Sequence, residues 1–187
     1  MMPRKEEIAA ALYGAFVLAR FDVRGMQHFD VSLQGFWRSF FALVLVLPFG
    51  LYSLVQNYPE TEASPMWVVL IVAAYYVIDW ISFPLVMIPI ARRMGLSQTY
   101  IPFIIASNWS TVIQSALFFL LSVVVQTNVL PLLAMQMISL MIPIYAFMYQ
   151  VFVVRVALAA SALLAVAVTL LNFVLSYWLL IQSERFY

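Results

Sequence analysis

The chain has no cysteine, a single histidine, five glycines and very few charges: nine Lys or Arg and eight Asp or Glu in 187 residues. Each scarcity removes a class of chemistry. Without Cys there are no disulfides, thiolate metal sites or cysteine nucleophiles. One His excludes haem ligation by paired imidazoles within the chain. A metal site would have to be built from carboxylates, and these are scattered near the ends of apolar runs, so no metal and no cofactor is expected. Charged residues are 9% of the chain, against about 25% in soluble domains. So few charges cannot cover a water-facing shell, and most of the surface must face lipid. The net charge of +1 supplies no basic stripe, so no nucleic-acid partner is expected.

In place of charge, the chain has apolar runs; 66% of its residues are hydrophobic. These runs predict an all-α polytopic integral membrane protein. Five transmembrane helices are expected at about 36–55, 66–91, 100–125, 131–152 and 157–180, following a cytoplasmic or interfacial amphipathic helix. The organisation reads as an N-terminal segment at 1–34, a five-helix domain at 35–182 and a short outer tail at 183–187. The N-terminus lacks a clean apolar region before a small-residue cleavage site, so it is expected to be retained.

Residues 5–21 read as a helix with a one-sided apolar stripe of Ile8, Leu12, Ala15, Phe16 and Ala19. Two placements are open: flat in the headgroup region, or packed on the cytoplasmic ends of the spans or on a partner. In the connector 22–34, Gly25 can end this helix, and Asp30 or Ser32 can cap the next. His28 and Asp30 read as a surface pair without chemistry. Trp37 and Arg38 open the first span as interfacial anchors, and Arg92, Arg93 and Arg155 mark the same boundary on later spans. Pro48 predicts a kink in span one, and Pro84 and Pro89 a bend in span two. Ala157, Ser161, Ala165 and Thr169 give span five a small-residue face suited to close helix approach. The join around Arg155 has no Gly or Pro, which leaves both a hairpin and one long bent helix open.

Basic residues orient the chain. With the N-terminus inside, the cytoplasmic side holds Arg4, Lys5, Arg20, Arg24, Arg38, Arg92, Arg93 and Arg155, and the outer side only Arg185. That asymmetry predicts a cytoplasmic N-terminus and an outer C-terminus.

Against this background Asp79 stands out as the one acid inside an apolar run. A charged side chain at the centre of a spanning helix costs about 2.5–3.5 kcal/mol on insertion scales. Its neighbours are sought by depth, at ~1.5 Å per helical residue. Asp79 lies thirteen residues from the outer start of span two, Gln114 about eleven from the outer end of span three, and Asn172 about eight from that of span five. Asp79, Gln114 and Asn172 therefore share one level and can form a hydrogen-bonded cluster, with Asn108 on the same path. Span three carries a polar face of Ser107, Thr111, Gln114, Ser115 and Ser122, which should look toward other helices.

Catalytic signatures are missing from the sequence. The spans offer one carboxylate where aspartyl proteolysis needs two. The only His lies outside the spans. There is no H-E-x-x-H helix and no glycine-rich phosphate loop. No catalytic residue and no enzymatic activity are expected.

The segments YIPFIIASNWSTVIQ at 100–114 and VFVVRVALAASALLAVAVTLLNFVLS at 151–176, set among five closely spaced spans with tight turns, resemble the Yip1-domain family of small membrane proteins, in particular its bacterial members. The short DLxGP-type motif of eukaryotic members is not present. The resemblance implies a membrane-embedded adaptor of the bacterial inner membrane, working through membrane lipids and other integral membrane proteins, and it carries over no catalytic residues. Two main readings stand: a non-enzymatic accessory, assembly or organising subunit, or a small proton- or cation-coupled transporter or channel, as a homo-oligomer, using Asp79. A third is lipid or quinone binding beside the bent part of span two.

Overall fold

The computed structural model describes residues 2–56, 58–59, 61–127 and 129–186. Of the polar loop at 56–65, the turn at 126–131 and the C-terminal tail, Asn57, Glu60, Asn128 and Tyr187 lie outside the described residues.

Each apolar run becomes helix, the one open-ended structure that satisfies its own backbone in lipid. The order is α1 (Lys5–Ala19), a 3-10 helix (Val23–His28), α2 (Leu33–Ser39), α3 (Ala42–Gln56), α4 (Pro65–Arg93), α5 (Tyr100–Thr127), α6 (Leu132–Ala157) and α7 (Ala162–Glu184). Polar residues set several starts. Ser32, Ser64 and Ser161 cap α2, α4 and α7 by accepting from the backbone N–H of Gly35, Trp67 and Leu164, and Pro65 follows its cap at the first helical position. Five stretches are long and apolar enough to cross a membrane: Leu33–Gln56, Pro65–Arg93, Tyr100–Thr127, Leu132–Ala157 and Ala162–Glu184. The chain is a multi-pass membrane protein.

Two details depart from expectation: the continuity of the first span and the small-residue repeat of the last. The first span is interrupted at residues 40–41, between α2 and α3, and α3 runs on through Pro48. Likewise α4 stays helical through Pro84 and Pro89. The join after Arg155 is a hairpin: α6 ends at Ala157, Ala159 takes a left-handed φ of 54°, and α7 begins at Ala162. This divides the small-residue repeat. Ala157 closes one helix, Ser161 caps the next, and only Ala165 and Thr169 are buried on one α7 face.

The N-terminal helix packs on the bundle. Its buried face is Ala11, Gly14, Ala15, Leu18 and Ala19, whereas Phe16, placed on the apolar stripe by spacing, is 51% exposed. Small side chains won because α1 lies close against α5 and α6, and bulk would hold the helices apart. Two α6 hydroxyls fasten it: Tyr149 donates to the Ala15 carbonyl at 2.8 Å and Tyr145 to that of Ala19.

The central helix is α5, which touches α1, α2, α3, α4 and α6, while α7 bridges α6 and α4. Burial is concentrated at one end of the bundle, with Val68, Gly50 and Ser183 the buried exceptions toward the other. At the basic end, which carries α1, Arg92, Arg93 and Arg155, the core is tight: Phe103, Ile104, Ile105 and Trp109 of α5 meet Tyr149, Val153 and Val154 of α6. Toward the far end none of residues 113–127 or 132–145 is buried.

Candidate functional site: a polar cavity around Asp79

Asp79 lies midway along α4, on the side that packs against α7. Its Oδ1 accepts a 2.6 Å hydrogen bond from Ser176 Oγ. The carboxyl group borders a cavity of about 230 Å³ between α4, α5, α6 and α7, which Asn108, Gln114 and Asn172 also line. Asp79, Gln114 and Asn172, expected to form one hydrogen-bonded cluster, line one chamber but share no hydrogen bond with one another; the direct partner of Asp79 is Ser176. Ser176 stands one turn beyond Asn172, so the i, i+4 spacing on α7 was the signal that could have found it.

The amides are joined into a second network, and here too a member was missed. Gln114 Nε2 donates to Gln150 Oε1 at 2.8 Å, and Gln150 Nε2 reaches Ser107 Oγ at 3.5 Å. Gln150 is buried on α6; an amide at the basic-end half of an apolar run, opposite the polar face of α5, was its sequence signal. Asn108 Nδ2 donates to Ser39 Oγ at 2.9 Å, and Ser39 in turn donates to the Phe36 carbonyl. These bonds turn the polar face of α5 inward, with Ser107, Asn108 and Ser110 buried. Asn172 borders the cavity with no hydrogen-bond partner among the described residues.

The remaining walls are aromatic. Trp80, Phe83 and Phe173 line the chamber, and Trp80 Nε1 is buried without a partner among the described residues. Toward the basic end Phe83 packs edge-on against Phe103, with ring centroids 5.9 Å apart, inside the tight core. Toward the far end lie two wider clefts. One, of about 580 Å³, is edged by Tyr52, Gln56, Ser115, Ser122 and Gln126; the other, of about 530 Å³, by Ser53, Tyr75 and Ser183. Tyr76, one turn from Asp79 on α4, borders both, and its ring rests on Gly50, where an added Cβ would come within 2.7 Å.

The predicted anchors behave unequally. Trp37 is 68% exposed and Arg92, Arg93 and Arg155 are exposed, as interfacial residues would be. Arg38 is not a free anchor. Its side chain is 16% exposed and its guanidinium donates to Glu7 Oε1 at 2.8 Å, tying α2 to α1. The pairing joins residues 31 apart in sequence, so local pattern could not show it. Among the described residues no three His, Asp or Glu side chains lie together as a metal site would need.

Compared with family models, curated proteins and solved structures, the chain matches none.

Proposed function

We propose that the protein is a small, non-enzymatic membrane carrier whose Asp79 cavity accepts a proton or small cation from the far end. The observation that carries this reading is the coincidence of Asp79 with a polar chamber and open far-end clefts above a closed basic-end core. An intramembrane acid lining a cavity marks ion or substrate pathways in general. Among the described residues no basic side chain borders the chamber, which favours a charge partner drawn from solution. Alternating access needs a bundle that can close one end and open the other, and the one-sided packing fits such a state. The distribution of Lys and Arg supports a cytoplasmic N-terminus, so the far end would face outward, and a bacterial inner-membrane location is what the Yip1-domain resemblance implies.

The test is flux. Purified protein reconstituted in liposomes is expected to dissipate an imposed proton or sodium gradient, and Asp79→Asn to abolish that activity while keeping its helical content and elution volume. Equal flux through folded Asp79→Asn, or no flux through the unaltered protein with either ion, contradicts the carrier reading.

A second reading, an accessory subunit bound to other membrane proteins in the manner that the Yip1-domain resemblance implies, is favoured by a different observation. Gln136 and Ser139 of α6 are exposed within a spanning helix, where a neighbouring helix would satisfy them. Purification from native membranes in mild detergent separates the two: a stoichiometric complex lost in Gln136→Leu supports the accessory role, and a lone chain opposes it.

A further inference from the structure

Independently of the Asp79 cavity, we infer that the cleft where α1 turns into the 3-10 helix binds the phosphate of an anionic phospholipid in the basic-side leaflet. The cleft measures about 360 Å³ and is lined by Tyr13, Arg20, Asp22, Arg24, Gln27 and His28. Its one acid is already paired. Both Asp22 oxygens accept from the Arg24 guanidinium, through Nε and Nη2, and Oδ1 also accepts from the Arg24 backbone N–H. That pair cancels two charges and leaves Arg24 Nη1 with both its N–H groups uncommitted. Arg20 is exposed, and its guanidinium makes no hydrogen bond or ion pair among the described residues. The cleft therefore carries one uncompensated positive charge, on a side chain whose planar fork matches the oxygens of a phosphate.

Depth makes the phosphate a lipid's. Going along α1 toward its C-terminus, Ala15 meets Tyr149 and Ala19 meets Tyr145, so α1 runs down α6 away from the basic end. The Phe21 ring then lies between those of Phe152 and Tyr145, 5.4 and 5.9 Å away. Phe21 holds a left-handed φ of 58° at this reversal, a conformation rare for a bulky residue. Phe152 and Tyr145 precede Arg155 by three and ten residues. At ~1.5 Å per residue the turn sits roughly 10 Å from Arg155 toward the midplane. The polar layer of a bilayer is only about 5–8 Å deep on each side, so with Arg155 at the surface the turn reaches the boundary between headgroups and acyl chains. An unpaired Arg is costly at that level. A dissolved anion has to leave water to neutralise it, whereas a lipid phosphate is within reach of a snorkelling side chain. Phe16, Phe21 and Val23, which flank the cleft residues in sequence, are exposed and offer apolar surface to the acyl chains.

Native mass spectrometry of the full chain in detergent tests this with dioleoylphosphatidylglycerol as probe, beside dioleoylphosphatidylcholine and glycerol 3-phosphate. Phosphatidylglycerol is expected to bind at least about fivefold tighter than phosphatidylcholine, whose phosphate carries its own fixed cation. Arg20→Gln should weaken phosphatidylglycerol binding about fivefold. Arg93→Gln removes another exposed charge from the same end of the bundle and should leave that binding nearly unchanged. Equal affinity for the two lipids overturns the inference. Equal losses in Arg20→Gln and Arg93→Gln also overturn it, since they would mean diffuse surface charge and no site. Displacement of the lipid by glycerol 3-phosphate would assign the cleft to a soluble phosphate ester and overturn the lipid assignment.

Discussion

Ser176 donates a 2.6 Å hydrogen bond to Asp79, tying α7 to α4 across 97 positions of sequence. The main neighbour of α4 is α7, so the bond secures both the carboxyl group and the helix that carries it. Ser176→Ala leaves Asp79 Oδ1 without its donor, and a polar group stranded in this way costs about 1–3 kcal/mol. Thermal unfolding in detergent should show that loss. In a double-mutant cycle, Ser176→Ala should cost much less once Asp79 is Leu. Additive effects of the two substitutions would contradict a direct coupling.

The docking of α1 has its own electrostatic lock. Glu7 accepts from the Arg4 backbone N–H at 3.1 Å, from Arg4 Nε at 3.0 Å and from Arg38 at 2.8 Å. The Arg4 backbone N–H above all, with the Arg4 and Arg38 side chains, holds the Glu7 carboxyl below its ordinary value. A carboxylate held low when folded stabilises the structure above its unfolded value, and that contribution is lost as pH falls through the lower, folded one. Protection of the α1 amides, taken relative to the intrinsic exchange rate at each pH, should therefore fall at acid pH below the ordinary glutamate range. In Glu7→Gln that protection should be low already at neutral pH and flat through the same window. An acid response that survives in Glu7→Gln would place the switch elsewhere. Asp22, which its bidentate Arg24 partner pushes down to about 2, stays ionised through the same window.

Gly14 and Gly25 let α1 and the 3-10 helix meet backbone to backbone. A Cβ on Gly14 would stand 2.8 Å from the Gly25 carbonyl oxygen, and one on Gly25 would stand 2.5 Å from that of Gly14. Neither neighbour is a flexible side-chain end, so the backbones must part. Gly14→Ala and Gly25→Ala should each destabilise by about 1–3 kcal/mol. Gly95→Ala is a control for steric crowding alone, since nothing lies within 4 Å of its added Cβ and its cost comes from a φ of 70°. Gly14→Ala at full stability would mean that the two segments do not touch.

These relationships show what a one-dimensional pattern holds and what it omits. Apolar run length placed the five spans, since each run must be long enough to cross lipid. Depth along the spans put Asp79, Gln114 and Asn172 at one level, because rise per residue is nearly constant, and all three border one cavity. Rotation about each helix axis was not legible. It decides that Ser176, not Gln114, bonds Asp79, and that Gln150 completes the amide network. For α1, reading large apolar residues as the buried face selected Phe16, whereas close packing selected alanine and glycine. The Glu7–Arg38 pair is set by chain topology and leaves no local trace.

The central claim is that solute reaches Asp79 from the far end and not through the basic-end core. A chain without cysteine allows a direct measurement with single cysteines and a membrane-impermeant thiol reagent applied to either face of oriented vesicles. Ser115→Cys in the far-end cleft and Asn172→Cys in the Asp79 cavity should both react from the far-end face, and Val153→Cys, fully buried in the basic-end core, from neither. Labelling of Asn172→Cys only from the basic face, or from neither face while Ser115→Cys reacts, would contradict the account.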